Sequence, residues 1–207
     1  TASNNIAIGK SAAEANTTGT RNITIGFEAY AASDTENDNI AIGYQAMTTN
    51  TAGGIQNIAL GNYALDGLTS GDANVAIGYS AMSATVTGGQ NTAVGHSAME
   101  ALTTGSHNAA FGFVSLDALT TGSRNTAVGQ NSLGATATTD DNTAVGYNSQ
   151  LLNEAGSNTS IGIYSLRQNT TGSSNVAVGQ SALLNNTTAA ENVAVGYNAA
   201  YNNTTGI

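Results

Sequence analysis

The chain has 207 residues, of which only 8% are charged and 40% are hydrophobic, and it contains no Pro, Cys or Trp. Its net charge of -9 sets 13 acidic residues against Lys10, Arg21, Arg124 and Arg167, so it lacks the basic clusters that bind nucleic acids and anionic membranes. The lack of Cys excludes disulfides and thiolate metal sites, and no apolar stretch reaches the roughly 18 residues of a membrane span. We therefore expect neither a nucleic-acid partner nor membrane insertion.

One short motif repeats along the chain. An Asn recurs twelve times, at intervals of 17 residues in nine of eleven steps, and a Gly follows each Asn by four residues. The two irregular intervals change the length of the second half of the unit, which predicts a surface turn there. The Asn column comprises Asn5, Asn22, Asn39, Asn57, Asn74, Asn91, Asn108, Asn125, Asn142, Asn158, Asn175 and Asn192. The motif glycines are Gly9, Gly26, Gly43, Gly61, Gly78, Gly95, Gly112, Gly129, Gly146, Gly162, Gly179 and Gly196.

The three residues between Asn and Gly alternate as in a β-strand. The first is β-branched in eleven copies, the second is Ala in ten, and the third is apolar in all twelve. A period of two places the large side chains on one face and the small ones on the other. Each unit is therefore predicted to begin with a short strand.

A second segment follows each motif Gly. The seventh residue after Asn is always Ala or Ser, and the eighth is mostly Leu or Met, including all three Met residues of the chain. The unit ends in turn residues such as Thr103-Thr104-Gly105. A unit this short, with a Gly in its strand and a Gly-rich turn, cannot hold helices of ordinary length. Two short strands and two turns per unit is the predicted arrangement.

Stacked units of this kind predict an all-β fold, a parallel β-solenoid (β-roll) of twelve coils with about 17 residues each. Residues 1–207 are then one repetitive domain, with coils about 4.8 Å apart and a length of roughly 55 to 60 Å. The Ile/Val and Leu/Met columns are expected to fill the interior. The small Ala and Gly face is expected to be the seam between three identical chains, because small residues let another backbone approach closely.

Both ends of the chain fall in phase with the repeat, and neither shows a capping unit. We therefore expect a segment of a longer array, or segments that stack end to end into a filament. Along such a stack, the Asn side-chain amides are expected to donate to one neighbouring coil and accept from the other, which forms a structural ladder.

Aromatic residues follow the motif Gly in half of the copies. An exposed row of rings could stack on the sugars of a cell-surface glycan or receptor; alternatively, the rings cover the seam between chains or coils, which we favour. Other copies carry residues such as Asn62, His96 and Gln130, which interrupt a continuous platform. The six aromatic residues are Phe27, Tyr44, Tyr79, Phe113, Tyr147 and Tyr197.

Two acidic turns are candidates for metal sites. The stretch with Asp34, Glu36 and Asp38 alternates carboxylates, but the Gly and the distant Glu of a calcium loop are missing. A solvated acidic turn is the favoured interpretation, and the same holds for Asp140 and Asp141.

No catalytic or cofactor-binding constellation is recognised. His96 and His107 stand in different columns without a repeated acidic partner, and no nucleophile elbow, phosphate-binding loop or dinucleotide motif occurs. We expect no enzyme activity, no cofactor and no metal.

The N-x-A-[IV]-G unit resembles the head repeats of trimeric autotransporter adhesins, the YadA-like left-handed parallel β-roll, whose motif includes NSVAIG. It also resembles the NTAVG-Y-x-A-L-x-x-x-TTG arrays of phage tail-fibre proteins. The resemblance covers all twelve units and implies a homotrimeric, extracellular, rod-like protein with left-handed coils and no enzyme activity. The YadA-like unit is shorter than the one here, and the longer turn favours the tail-fibre variety.

Three functions follow as hypotheses. The first is a structural fibre, the shaft of a trimeric phage tail fibre or a similar extracellular filament that presents a receptor-binding tip. The second is the head of a bacterial trimeric surface adhesin, whose wall binds host matrix or glycans. The third is an ice-binding solenoid, which we place last because such faces need Thr-x-Thr on a strand and the paired Thr here lie in turns.

Overall fold

The computed structural model describes residues 2–50 and 53–205. Twelve three-residue strands form one parallel sheet in sequence order, and no helix occurs in these two ranges, so the prediction of an all-β parallel β-solenoid is confirmed. The strands are β1 (Ile6–Ile8), β2 (Ile23–Ile25), β3 (Ile40–Ile42), β4 (Ile58–Leu60), β5 (Val75–Ile77), β6 (Thr92–Val94), β7 (Ala109–Phe111), β8 (Thr126–Val128), β9 (Thr143–Val145), β10 (Thr159–Ile161), β11 (Val176–Val178) and β12 (Val193–Val195).

The strands stay in register across the two irregular intervals. Ile40 pairs with Ile58 across the 18-residue step, and Thr143 pairs with Thr159 across the 16-residue step. Equivalent residues therefore stack on one another from coil to coil, and the change in length is taken up by the turns.

The two faces of the strands are oriented the other way round from the prediction: the small residues point into the coil and the large ones point outward. The middle residues of β2–β12 are buried, Ala59 and Ala76 completely, whereas Ile77 is 36% and Ile161 is 44% exposed. The expectation that Ile and Val fill the interior and that the Ala face meets another chain is therefore wrong. The physical reason is space: the long side chains of the Leu/Met column already occupy the narrow interior, so only small residues fit beneath the sheet.

The Leu/Met column fills the interior, and Met47, Leu65, Met82 and Met99 are fully buried. This part of the prediction is confirmed. In the second coil the same position holds Tyr30, whose burial raises its pKa to about 12.

The segment that carries this column is not a strand, so the second predicted strand is wrong. In every coil the sixth and eighth residues after Asn have positive φ, for example 60° at Tyr63 and 50° at Leu65. The N–H of Leu65 donates to the carbonyl of Ala81 in the next coil at 3.0 Å. The segment thus stacks by hydrogen bonds between coils, and burial of its Leu or Met side chains offsets the strain of left-handed backbone.

The motif glycines serve the close stacking of the coils. Their φ values lie between 121° and 146°. A Cβ added at Gly26 would collide with the carbonyl oxygen of Gly43 in the next coil. Both the backbone conformation and the lack of space therefore require Gly at this position.

A polar section divides the apolar core in the coil that begins at Asn142. Gln150 replaces Leu or Met there and is fully buried. Its Nε2 donates to the carbonyl of Thr143 at 2.8 Å and to Oγ of Ser160 at 3.0 Å, and Ser160 also bonds Ser149. One apolar cluster lies before this section and a smaller one after it.

Candidate functional site

The Asn column joins each coil to the next. In all eleven steps the backbone N–H of one Asn donates to Oδ1 of the preceding Asn, at 2.8 to 3.0 Å. The Nδ2 group closes the coil itself: Asn74 donates to the carbonyl of Gly88, fourteen residues later, at 3.0 Å. In six of the eleven steps Nδ2 also donates to the preceding Oδ1, at 3.0 to 3.3 Å. Each buried amide therefore fixes both the closure and the register of the stack.

Sequence reasoning missed a second column of buried amides, eleven residues after the Asn column. Asn153, Asn169 and Asn186 are fully buried. Nδ2 of Asn169 donates to Oδ1 of Asn153 at 2.6 Å, and Nδ2 of Asn186 donates to Oδ1 of Asn169 at 2.9 Å. The signal was present in the sequence, because central coils carry Leu at the same position, as at Leu102 and Leu119. Leu is found mostly in protein interiors, so its recurrence in this column indicates an interior position.

The outward strand face consists of the first and third residues of β1–β12. All of them are Ile, Val, Leu, Phe, Ala or Thr, and none is charged. Large side chains on this face are open to solvent: Ile8 is 59% exposed, and Phe111 is 43% exposed. With coils about 4.8 Å apart, the face is about 53 Å long. An uncharged, largely apolar wall of this extent is typical of an interaction surface.

An aromatic row borders this face. Six rings from six successive coils contact one another, with centroids 5.1 to 5.6 Å apart. The predicted interruptions at Asn62 and His96 are wrong, because Tyr63 from the adjacent position replaces the first and the His96 ring itself joins the row. The row consists of Phe27, Tyr44, Tyr63, Tyr79, His96 and Phe113.

The remaining predicted aromatic residues lie beyond this row. Tyr147 contacts Tyr164, with ring centroids 5.5 Å apart. Tyr197, in the last described coil, is 73% exposed. Tyr164, like Tyr63, occupies the sixth position after Asn, one residue beyond the predicted aromatic column. Aromatic residues at this position were the signal in the sequence that could have predicted both contacts.

The acidic turn after Ser33 is not wholly solvated, which corrects the prediction. Glu36 is only 3% exposed, and its carboxylate accepts the N–H groups of Asp34 at 3.1 Å and Gly53 at 3.2 Å. Asp38 pairs instead with Arg21 of the preceding coil at 2.5 Å. Within residues 2–50 and 53–205, no three His, Cys, Asp or Glu side chains are grouped so that they could hold a metal ion.

The second acidic pair is also engaged by a neighbouring coil. Arg124 contacts Asp141 at 2.6 Å and Asp140 at 3.3 Å, and all three side chains are about half exposed. His107 stands in the same column as Arg124, directly before the Asn column, whereas His96 belongs to the aromatic row. The structure therefore does not bring the two His side chains into one site.

The described part of the chain contains no helix that is long and apolar enough to cross a membrane. No protein-family model, curated protein or solved structure matches the chain. The candidate functional surface is therefore defined by its own geometry, namely the outward strand face and the aromatic row beside it.

Proposed function

We propose that the chain is a structural rod segment that assembles side by side with two further copies of itself into a homotrimeric fibre shaft. The observation that carries this proposal is the outward strand face, which leaves Ile77, Phe111 and Ile161 more than a third exposed. Burying such side chains in an interface stabilises an assembly by about 25 cal/mol for each Å² of apolar surface removed from water. The assembling face is thus the Ile/Val face and not the Ala face.

The regular spacing of residues on the outward strand face supports a second copy of the chain as the partner. The outward residues recur once in every coil, so they are spaced by the distance between neighbouring parallel strands. All twelve strands stay in register. A partner with the same spacing can repeat one favourable contact along the whole length, and another copy of the chain has that spacing. A closed cyclic arrangement contains a fixed number of copies, and we propose three because the resembling repeat families imply a homotrimer.

The rod geometry supports a shaft. Eleven hydrogen bonds, each from the backbone N–H of one Asn to the side-chain Oδ1 of the preceding Asn, hold successive coils in register. The repeat motif resembles those of tail fibres and adhesin heads, and this resemblance supports a shaft in an extracellular filament of a virion or a cell surface that presents a receptor-binding tip.

An adhesin head remains a second candidate because of one observation. Tyr44 and Tyr79 in the aromatic row are 41% and 49% exposed, so the wall itself offers ring surfaces to a glycan. Replacing Tyr44 and Tyr79 with Ser distinguishes the two functions: loss of attachment to a target cell supports the adhesin, and unchanged attachment supports the shaft.

Light scattering on the purified chain tests the assembly. We expect the mass of three chains for the wild type, and the mass of one chain for the double variant Ile77→Glu/Val94→Glu, whose new charges lie on the outward strand face. The control Thr104→Glu adds a charge to an exposed turn and should stay trimeric. A wild-type mass of one chain at every concentration would refute the proposal.

A further inference from the structure

An open groove of about 590 Å³ lies on the wall formed by the last four described coils. Three tyrosines line it, Tyr147, Tyr164 and Tyr201, together with Arg167. Nine of its ten lining residues carry a side-chain hydrogen-bonding group, and four of those are the amides of Asn or Gln. The groove therefore combines ring surfaces with many groups that can both donate and accept hydrogen bonds.

Two buried polar atoms of the lining residues have no hydrogen-bond partner among the described residues. Asn148 is only 6% exposed, and its Oδ1 accepts no hydrogen bond. The Nε group of Arg167 is buried and donates to no acceptor. Buried polar groups in folded proteins almost always have a partner, so these two atoms leave the polar side chains beneath the groove incompletely hydrogen-bonded.

Arg167 also differs from the other two arginines of the chain. Arg21 and Arg124 each bind a carboxylate of the next coil, at 2.5 and 2.6 Å. Within the described ranges, Arg167 has no carboxylate within salt-bridge distance, and its guanidinium lies 5.4 Å from the centre of the Tyr164 ring. Stacking on the ring holds the guanidinium in place, which leaves its planar donor groups free for an anion.

We propose that this groove binds a carboxylated saccharide. Arg167 binds the carboxylate through parallel N–H donors. The exposed rings of Tyr147 and Tyr201, 39% and 37% open, pack against the apolar faces of the sugar rings. The Asn and Gln amides pair with sugar hydroxyls, which likewise donate and accept.

The lining favours a saccharide over other anionic ligands. Leu184 is the only lining residue without a polar side-chain group, so the groove offers no apolar pocket to anchor a peptide side chain. Arg167 is the only cation in the lining, which suits one carboxylate and not the several charges of a nucleic acid or polyphosphate. A ligand rich in hydroxyls with a single carboxylate on each binding unit fits both features.

This inference goes beyond the proposed shaft, which needs no ligand, and the groove contains neither Tyr44 nor Tyr79, the rings on which the adhesin candidate rests. Tyr147 stands at the same position of the repeat as the rings of Tyr44 and Tyr79, so the groove borders the outward strand face without being part of it. Binding and assembly can therefore be measured separately, by saccharide affinity and by mass.

The test uses the full chain and immobilised saccharides in matched pairs, namely oligogalacturonate with its methyl ester and sialyllactose with lactose. We expect the wild type to bind at least one carboxylated member about tenfold more tightly than its neutral counterpart. Arg167→Gln should remove that preference, and Tyr147→Ser should weaken binding of the same saccharide. The control Arg124→Gln, which changes an arginine of another coil, should bind as the wild type does.

Three results would overturn the proposal. The first is an equal response of the wild type to both members of every pair. The second is unchanged binding by Arg167→Gln, shown to be folded by its circular dichroism spectrum. The third is tighter binding of an acidic peptide than of any carboxylated saccharide, which would assign the groove to a protein partner.

Discussion

The backbone N–H of Asn91 donates to the side-chain Oδ1 of Asn74 at 3.0 Å, and both residues are fully buried. The same link occurs between all successive members of the Asn column, so the stack is held by a side chain of one coil and the backbone of the next. A short, exposed turn could not set the register this firmly, because water would compete for its hydrogen bonds.

The first prediction concerns Asn91→Ala in the middle of the rod. The substitution leaves the N–H of Asn108 and the carbonyl of Gly105 without their partners, which lie at 3.0 Å in both cases. Each unpaired buried group costs about 1 to 3 kcal/mol, so we expect a loss of about 2 to 5 kcal/mol in unfolding free energy. Chemical denaturation followed by circular dichroism measures the change.

The control for this variant is Gln130→Ala. It removes an amide of similar chemistry from an exposed position, where the side chain makes no hydrogen bond with another described residue. We expect its unfolding midpoint to stay within experimental error of the wild type. Equal destabilisation by both substitutions would show that the Asn column does not hold the coils together.

The second prediction concerns the motif glycines. Gly95→Ala places a Cβ against the carbonyl of Gly112, at a residue with φ of 143°. Backbone strain of this kind costs about 1 to 3 kcal/mol, and the collision adds to it, so the variant should unfold at clearly lower temperature. Gly134→Ala is the matched control, because its φ is not in the left-handed region and its nearest neighbour is the flexible end of Leu151 at 3.1 Å. A melting temperature of Gly95→Ala equal to that of Gly134→Ala would contradict this explanation.

Most of the fold could be predicted because each repeated column of residues reflects one local structural requirement. The Asn, the motif Gly and the β-branched residue recur at one spacing, which indicates both a strand and a coil. The inward direction of the strand was not predictable from alternation alone, since Ala76 and Ile77 alternate equally well with either residue inside. Which residue points inward depends on the segment that faces the strand across the interior. Met82 of that segment fills the interior and leaves room only for Ala.

The prediction of a second strand in each coil was wrong for a different reason. Ala64 and Leu65 look like neighbouring strand positions, but Leu65 has a φ of 50°, which apolar L-residues rarely adopt. Local preference therefore argues against the observed backbone. The conformation persists because the segment bonds to the coils on both sides and buries its long side chain, and neither effect can be seen within one repeat.

The third prediction concerns the polar section of the core. Gln150 is fully buried, and its Oε1 has no hydrogen-bond partner. Replacing the connected polar groups together, as Gln150→Leu/Ser149→Ala/Ser160→Ala, removes that orphaned oxygen and joins the two apolar clusters. Replacing interacting side chains together with apolar groups can be neutral or stabilising. The carbonyls of Thr143 and Asn158 each lose one Nε2 donor, so we expect a gain of only about 1 kcal/mol in unfolding free energy.

Ser160→Ala alone is the informative comparison for this triple variant. It takes away the partner that both Gln150 and Ser149 contact, and it leaves those two side chains buried. The single variant should therefore unfold at lower denaturant concentration than the wild type, whereas the triple variant should unfold at higher concentration. A loss of stability in the triple variant would show that the polar section is needed for the fold.

The fourth prediction concerns the pH dependence of stability at Asp66. Burial raises the pKa of this carboxyl group, and the negative charge of Glu100 raises it further. Because the folded-state pKa lies above the unfolded one, the folded chain binds more protons between the two values, and the charged carboxylate destabilises the fold at higher pH. As the pH falls from 7 towards about 4, the wild type should gain stability relative to Asp66→Asn.

Asp38→Asn provides the control of opposite sign. The hydrogen bond and charge of Arg21 lower the pKa of Asp38, so the ionised form stabilises the fold, and this contribution is lost as the pH falls through the folded-state value. The wild type should therefore lose stability relative to Asp38→Asn only as the pH falls below about 4, whereas its gain relative to Asp66→Asn occurs above that pH. Thermal unfolding of the three proteins at a series of pH values measures both slopes, and parallel curves for all three would show that neither carboxylate is coupled to folding.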